Sequence, residues 1–352
     1  MAGKNLKRIV IYLLLLGIVS AITFYFLSNF SGGIEWGKVI NFFVANPWGF
    51  LGILSLLFSW ITDTFITYIL IRKLIRVPFS FLKSFNMSII GIFFNKLSPA
   101  STGGSVFQIA YLKRNGINFG SSVSITELRY IIKQSAMVVA AAMGFLIALQ
   151  VVERNEITFV LSFLGFGLSI GGILILILIN VSSKVRSSLL TITKWAIGLL
   201  RFSKKLSPKI PDLRQKAEKE FKNYVQSMKM ISTNWKFIIP VFFLALLSAL
   251  GHLFLAFAAV QSFGIFENIP KGMLEVISLQ AIATTIIFFS PTPGSSGLAE
   301  GGFYLFFSTI VPPKFLATVT LEWRILSYFV PLALSGIIFL IIFFHGMVST
   351  RK

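Results

Sequence analysis

The sequence predicts an all-α integral membrane protein with about six full spans plus two re-entrant or broken-helix hairpins, arranged as an inverted-topology repeat. Hydrophobic residues make up 55% of the 352 residues, whereas charged residues make up only 12%. Several uncharged apolar runs approach or exceed the roughly 18 residues that indicate a membrane span. Two further apolar segments are interrupted by glycine and proline. Because the apolar runs extend along most of the chain, residues 1–352 are interpreted as a single polytopic membrane domain.

Six apolar runs are each long enough to cross a hydrocarbon core of about 30 Å at about 1.5 Å per residue. They cover residues 9–27, 47–71, 128–149, 157–180, 237–260 and 323–345. The first run follows the charged stretch MAGKNLKR but is too long for the apolar part of a typical signal peptide. We therefore expect an uncleaved first span.

The formal charge of +20 indicates contact with anionic lipid headgroups rather than nucleic acid, because the basic residues cluster between the spans. Basic residues before the first span and after the second predict a cell membrane protein with N- and C-termini in the cytoplasm. Residues 182–236 contain thirteen Lys and Arg against three acidic residues. This segment is predicted to be a basic cytoplasmic loop with amphipathic helices on the inner leaflet.

Two extra apolar stretches lie at residues 84–112 and 272–310. The full spans already account for the predicted sides of the flanking segments, so neither stretch can add a further crossing. Each must enter and leave the membrane on the same side, the first from inside and the second from outside. Both are interrupted near their middles by glycine and proline. Such irregular backbone is tolerated at membrane depth where it lines a cavity or is buried in protein. The sequence therefore predicts two re-entrant or broken-helix hairpins.

The two hairpins share a motif. NKLSPASTGGSVFQIAYL begins at Asn95, and FFSPTPGSSGLAEGGFYL begins at Phe288; each is followed by a Glu-x-Arg sequence. Similar order with opposite predicted orientation indicates an inverted repeat, formed by residues 47–149 (the first half) and 237–345 (the second half), with a binding site between them. The re-entrant loop residues are Ser98, Pro99, Gly103, Gly104, Ser290, Pro291, Pro293, Gly294, Ser295 and Gly297.

Ionisable side chains within the spans are the candidate substrate-binding residues, because each costs roughly 2.5–3.5 kcal/mol at membrane depth on insertion scales. A planar guanidinium suits bidentate contact with phosphate, and helix N-termini in the broken hairpins also favour anions. The two side chains of each Glu-x-Arg point apart on a helix, so we expect Glu127 near Arg324, or Glu322 near Arg129. The candidates are Asp63, Glu127, Arg129, Lys133, His252, Glu300, Glu322 and Arg324.

Plainer interpretations remain open for these residues. The charges could tie the two halves together or lie at the membrane interface, Asp63 could be solvated by neighbouring threonines, and His252 could be an interior histidine. The chain contains no cysteine and two histidines. Neither a metal site nor a cofactor is predicted.

With these motifs in hand, the chain resembles the lysylphosphatidylglycerol synthase transmembrane-region family, the flippase domain of bacterial multiple peptide resistance factor proteins. The resemblance is carried most specifically by PTPGSSGLAE and by the TELR sequence, and it implies movement of an aminoacylated phospholipid, or of another lipid-linked anionic or zwitterionic molecule, between leaflets. The chain ends just past its last predicted span, so the aminoacyl-transferase domain is expected to be absent. The first loop, SPASTGG, also departs from the family by lacking an acidic residue after its glycines.

The leading hypothesis is a lipid flippase whose headgroup site lies between the halves, with Arg129 and Arg324 on the phosphate, and not an enzyme. No Walker motif is present, so ATP coupling within the chain is not expected. A membrane-embedded polyprenyl pyrophosphate phosphatase-like enzyme is an alternative, although the paired-carboxylate motif of such enzymes is missing. An accessory subunit of a lipid-modifying complex is the third possibility.

Overall fold

The computed structural model describes Tyr25 and residues 33–99, 101–152, 155–202 and 207–349. In this part of the chain, thirteen α-helices are joined by short turns. They are α1 (Trp36–Val44), α2 (Pro47–Ile69), α3 (Phe81–Leu97), α4 (Gly103–Arg114), α5 (Phe119–Val152), α6 (Glu156–Val181), α7 (Ser183–Gly198), α8 (Ile210–Thr233), α9 (Ile238–Gln261), α10 (Ile269–Ile287), α11 (Leu298–Phe307), α12 (Pro313–Arg324) and α13 (Val330–Ser349).

Five helical segments among the described residues are long and apolar enough to cross a membrane: Pro47–Lys73, Phe119–Val152, Glu156–Val181, Ile238–Gln261 and Pro313–Phe343. They match five of the six predicted spans. Apart from Tyr25, the predicted span at 9–27 lies outside the described residues. The segments at 119 and 313 begin well before the predicted residues 128 and 323, because hydropathy does not detect the polar turns that precede each apolar run. The described part of the chain is all-helical, and the protein is a multi-pass membrane protein.

Local sequence signals explain where the first long helix begins and ends. The Asn46 side chain accepts a hydrogen bond from the Trp48 N–H at 2.9 Å, and Pro47 occupies the first turn. The helix continues through a π-helical turn, Leu70–Ile75, and ends where Arg76 adopts a left-handed conformation with φ of 60°. A second π-helical turn, Ile325–Phe329, joins α12 to α13.

The first predicted hairpin is two helices, α3 and α4, separated by a break where SPAST was expected to interrupt them. The hydroxyl of Ser98 accepts a hydrogen bond from the Gly103 N–H at 2.7 Å, and the Asn95 side chain accepts one from the Gly104 N–H at 2.8 Å. A Cβ atom on Gly104 would lie only 2.5 Å from the Gly91 carbonyl oxygen. Glycine is required there by the close approach of α4 to α3.

The second hairpin, α10 and α11, breaks in the same way. Gly294 has a φ of 60°, and a Cβ atom there would lie 2.3 Å from the Tyr328 ring. The Glu300 carboxylate accepts a hydrogen bond from the Gly297 N–H at 2.7 Å, at the start of α11. The two breaks contact each other, since Pro99 and Pro293 form an antiparallel β-bridge. The hairpins thus meet at their irregular segments.

Helices α2 and α9 pack along each other at the centre of the molecule. Small residues permit the close approach: the Ser55 hydroxyl donates to the Gly251 carbonyl at 2.7 Å, and the Ser59 hydroxyl donates to the Ser248 carbonyl at 3.0 Å. Around this pair, α3 packs on α13 and α10 packs on α5. The breaks are therefore surrounded by long helices from both halves.

The basic segment forms a helical hairpin, α7 and α8, and α8 packs against the start of α5. The Glu220 carboxylate accepts a hydrogen bond from the Gly120 N–H at 2.8 Å, and the Ser121 and Ser227 hydroxyls are 2.7 Å apart. The Ser124 hydroxyl donates to the Tyr224 carbonyl at 3.2 Å. Residues 220, 224 and 227 lie on one face of α8. The second helix of this segment is thus anchored to a membrane helix by polar contacts.

Candidate functional site

Two adjoining cavities, of about 270 and 500 Å³, lie between the halves. Five residues line both of them, so we treat them as one central cleft: Asn95, Ser101, Lys133, Met137 and Phe288. The smaller cavity is also lined by Asp63, Lys96 and His252. The larger one is lined by Arg129 and by polar residues of α4 and α5. The cleft thus brings polar and charged side chains together beside the first break.

Asp63 lies midway along α2 and binds two cations of α5. One of its carboxylate oxygens pairs with the Arg129 guanidinium, and the other lies 2.6 Å from the Lys133 ammonium. Arg129 and Lys133 share one face of α5 because they are four residues apart. The Arg129 guanidinium also reaches the Ser88 hydroxyl at 3.4 Å, and its Nε atom is buried with no hydrogen-bond partner. Arg129 therefore keeps an unused donor.

Lys96 brings a third basic side chain to the cleft and was not among the sequence candidates. Its ammonium donates to the Ser327 carbonyl at 2.8 Å and lies 5.5 Å from the centre of the Tyr328 ring. Ser327 belongs to the π-helical turn after α12. The sequence offered one signal for Lys96: it lies two residues before the first Ser-Pro, the position that Phe288 has in the second motif. Lys96 and Phe288 both line the smaller cavity.

Cations outnumber carboxylates along the cleft. Lys96, Arg129 and Lys133 line it, and Asp63 is the one carboxylate among the described lining residues. Asp63 is only 3% exposed, whereas the Lys133 side chain is 42% exposed. The Lys133 side chain is therefore accessible from the open space while its ammonium pairs with Asp63. Such a surface attracts anions.

Arg324, predicted to share a phosphate with Arg129, does not line either cavity of the described structure. It is 3% exposed, and its Nε atom lies 2.8 Å from the Glu300 carboxylate, at an angle that forms no hydrogen bond. Its guanidinium donates to the Gly294 carbonyl at 2.9 Å and stacks on the Tyr328 ring at 4.2 Å. Arg324 thus holds the second break together, because it pairs with Glu300 just after the loop and binds the Gly294 carbonyl within it.

The predicted pairing of each glutamate with the other half's arginine is wrong. Glu127 instead accepts hydrogen bonds from the Asn180 amide and the Tyr224 hydroxyl, both at 2.7 Å. Glu322 accepts one from the Ser262 hydroxyl at 2.8 Å, and its other oxygen has no hydrogen-bond partner. The side chains of each Glu-x-Arg do point apart, as expected. Each arginine meets a carboxylate of its own half, Asp63 or Glu300, before it can reach the other half.

The predicted loop residues hold the breaks in shape, and the described cavities do not include them among their lining residues. Ser98 and Gly104 fix the first break through the hydrogen bonds given above. In the second break, the Ser290 and Thr292 hydroxyls are 2.8 Å apart. Within the described residues, no three His, Cys, Asp or Glu side chains are grouped so as to hold a metal ion.

The lysylphosphatidylglycerol synthase transmembrane region is the family description that matches the chain, over residues 9–335. This match covers nearly the whole sequence. The chain belongs to this family.

A relative of this lysylphosphatidylglycerol synthase transmembrane-region protein is a UPF0104 membrane protein from Archaeoglobus fulgidus. The two are 22% identical over 263 residues, which cover 71% of this chain and 73% of the relative. No solved structure matches the chain. Membership of the family indicates a membrane lipid-related function.

Proposed function

We propose that the protein is a lipid flippase, not an enzyme, that moves a lipid with an anionic phosphate headgroup between leaflets through the central cleft. The observation that carries this proposal is the group of three cations, Lys96, Arg129 and Lys133, around one carboxylate, Asp63. Charged groups inside a membrane domain mark substrate pathways when they face a cavity. The family supports a lipid as the substrate class.

The headgroup phosphate would lie against Lys133 and Arg129. Lys133 is the more exposed of the two, and Arg129 retains an unpartnered Nε donor. Phosphate can accept several charge-assisted hydrogen bonds at once, and it would take over part of the role of Asp63 in neutralising the two cations. The acyl chains would stay in the surrounding lipid.

The charge of the cleft favours an anionic headgroup over an aminoacylated one. Arg129 and Lys133 against the one carboxylate of Asp63 already leave excess positive charge beside the site, whereas a lysyl headgroup adds two amines of its own. Like charges in a confined space of low dielectric constant repel strongly. We therefore propose phosphatidylglycerol, or another lipid phosphate without an added amine, as the preferred substrate and an aminoacylated phospholipid as the poorer one.

The two halves would exchange roles during transport. Their helices follow one order: a long helix, a broken pair, then a second long helix, and equivalent helices pack on equivalent partners. This supports an inverted repeat, in which one half rocks against the other. In the present conformation Arg129 lines the cleft, whereas Arg324 is buried and paired with Glu300. In the opposite conformation Arg324 would separate from Glu300 and receive the phosphate.

The proposal places the protein in the cell membrane with both termini in the cytoplasm, as the distribution of basic residues predicts. A transport experiment tests it directly. Proteoliposomes with a fluorescent phosphatidylglycerol in both leaflets are treated with a membrane-impermeant reductant that bleaches the outer leaflet. The wild-type protein is expected to expose the inner-leaflet lipid to bleaching, and Arg129→Met and Lys133→Met are expected to slow this at least about tenfold.

A matched control is Lys73→Met, which removes an exposed lysine outside both cavities. It should transport like the wild type. Equal rates in all four proteins would contradict the assigned role of the cleft. Faster transport of lysyl-phosphatidylglycerol than of phosphatidylglycerol would overturn the proposed headgroup preference alone. Release of inorganic phosphate from a polyprenyl pyrophosphate would favour the enzyme instead.

A further inference from the structure

A pocket of about 660 Å³ lies away from the cleft, between the start of α5, the end of α6 and the α7–α8 hairpin. Its walls are largely apolar. They include Phe119 and Val123 of α5, Leu176 and Ile179 of α6, and Leu189 and Phe221 of the hairpin. Three basic residues, Lys113, Arg186 and Lys216, also line it. We call it the hairpin pocket.

Neutral donors form hydrogen bonds with both acids of the hairpin pocket, and the Arg186 guanidinium donates to the Asn180 carbonyl. Glu127 accepts hydrogen bonds from Asn180 and Tyr224, and Glu220 accepts them from Gly120 and Asn223. Burial, together with the Glu127 carboxylate, raises the pKa of Tyr224, so its hydroxyl stays a donor. Within the described part of the chain, no carboxylate forms an ion pair with the three basic residues.

The hairpin pocket and the central cleft lie on opposite faces of α5. Glu127 lines the pocket and Arg129 lines the cleft, and residues two apart on a helix point in nearly opposite directions. The described linings of the pocket and the cleft have no residue in common. A ligand in the pocket would therefore be a different molecule from the transported lipid.

The surroundings indicate a membrane lipid as the occupant. Helix α7 exposes Leu189, Ile192 and Trp195, an apolar strip that suits contact with the acyl boundary of a leaflet. The pocket combines an apolar interior with basic side chains, which complements acyl chains joined to an anionic phosphate. A soluble phosphate compound would leave the apolar walls unfilled.

We propose that the hairpin pocket binds one anionic phospholipid, with its phosphate near Arg186 and Lys216 and an acyl chain between α5, α6 and α8. The bound lipid would join the α7–α8 hairpin to α5 and so stabilise the docked position of α8. This site is independent of the transport proposal, because none of its basic residues lines the cleft.

The test uses the full chain in nanodiscs of phosphatidylcholine with about 5% of a phosphatidylglycerol that carries a photoreactive group on its acyl chain. Labelled peptides are identified by mass spectrometry. We expect labelling within residues 176–193 and 213–224. In Lys216→Glu this labelling should fall about fivefold or more, because one basic residue contributes about 1 kcal/mol to binding of an anionic lipid surface.

Lys219→Glu is the matched control, since Lys219 is an exposed residue of α8 outside the pocket lining. It should retain wild-type labelling, and phosphatidylglycerol should raise the melting temperature of the wild type and of Lys219→Glu but not of Lys216→Glu. Equal labelling by photoreactive phosphatidylcholine would overturn the proposal. So would equal labelling of the two variants, or labelling confined to other helices. Transport rates of the same variants are measured in proteoliposomes, so failure of this site is distinguishable from failure of the flippase proposal.

Discussion

Pro99 in the first break and Pro293 in the second form an antiparallel β-bridge that joins the two broken hairpins. The bridge lies beside the central cleft, since Ser101 lines both cavities. Motion of one half against the other would have to separate or shift these two segments. The contact is therefore a point at which transport could be stopped.

A disulfide across this bridge should block transport. Bridged residues lie about 4.5–5.5 Å apart between Cα atoms, within the range that a disulfide spans. The chain has no native cysteine, so Pro99→Cys with Pro293→Cys introduces the one possible pair. We expect oxidation to crosslink the chain internally and abolish lipid movement, and reduction to restore it. The single-cysteine variants should be insensitive to oxidant; undiminished transport in the crosslinked protein would show that the breaks do not separate.

Gly294→Ala should destabilise the protein by about 1–3 kcal/mol, because the residue has a positive φ and its new methyl would overlap the Tyr328 ring. Gly301→Ala is the control in the same hairpin: nothing lies within 4 Å of its added methyl, and alanine favours the helix. Thermal unfolding of the two purified variants measures the difference. A Gly294→Ala protein as stable as Gly301→Ala would be inconsistent with the tight second break.

Glu300 and Arg324 should show strong energetic coupling. Glu300→Gln leaves a buried guanidinium without its carboxylate, at a cost of about 3–5 kcal/mol, whereas replacing both partners removes the unpaired charge. We expect the double variant Glu300→Gln with Arg324→Met to be more stable than Glu300→Gln alone. A double-mutant cycle of unfolding free energies gives the coupling, expected at about 1–3 kcal/mol. Additive effects would mean that the pair does not hold the break closed.

Lys96→Met should slow transport without lowering the stability of the protein. The lysine ammonium reaches a backbone carbonyl and an aromatic ring, and it has no ion pair within the described residues. Methionine removes an uncompensated charge at similar volume, so the melting temperature should stay the same or rise. Movement of phosphatidylglycerol should nevertheless slow several-fold, because the cleft loses one of its three cations. Unchanged transport would remove Lys96 from the site.

The sequence by itself determined the membrane class, the five spans of the described residues and the positions of both breaks. These depend on local properties: the length of an apolar run sets a span, and Ser-Pro with glycine stops a helix wherever it occurs. It also identified Asp63, Arg129 and Lys133 as charges needing an explanation, since charge at membrane depth is costly in any fold.

Only the tertiary structure decided which charges meet. Arg129 and Arg324 occupy equivalent places in their Glu-x-Arg motifs. Arg129 nevertheless lines the cleft and pairs with Asp63, whereas Arg324 is buried and pairs with Glu300. Lys96 lines the cleft, and Glu127 accepts a hydrogen bond from Tyr224 of the basic segment. These outcomes depend on how distant helices pack, because a side chain pairs with the nearest suitable partner in space, and sequence spacing does not give that distance.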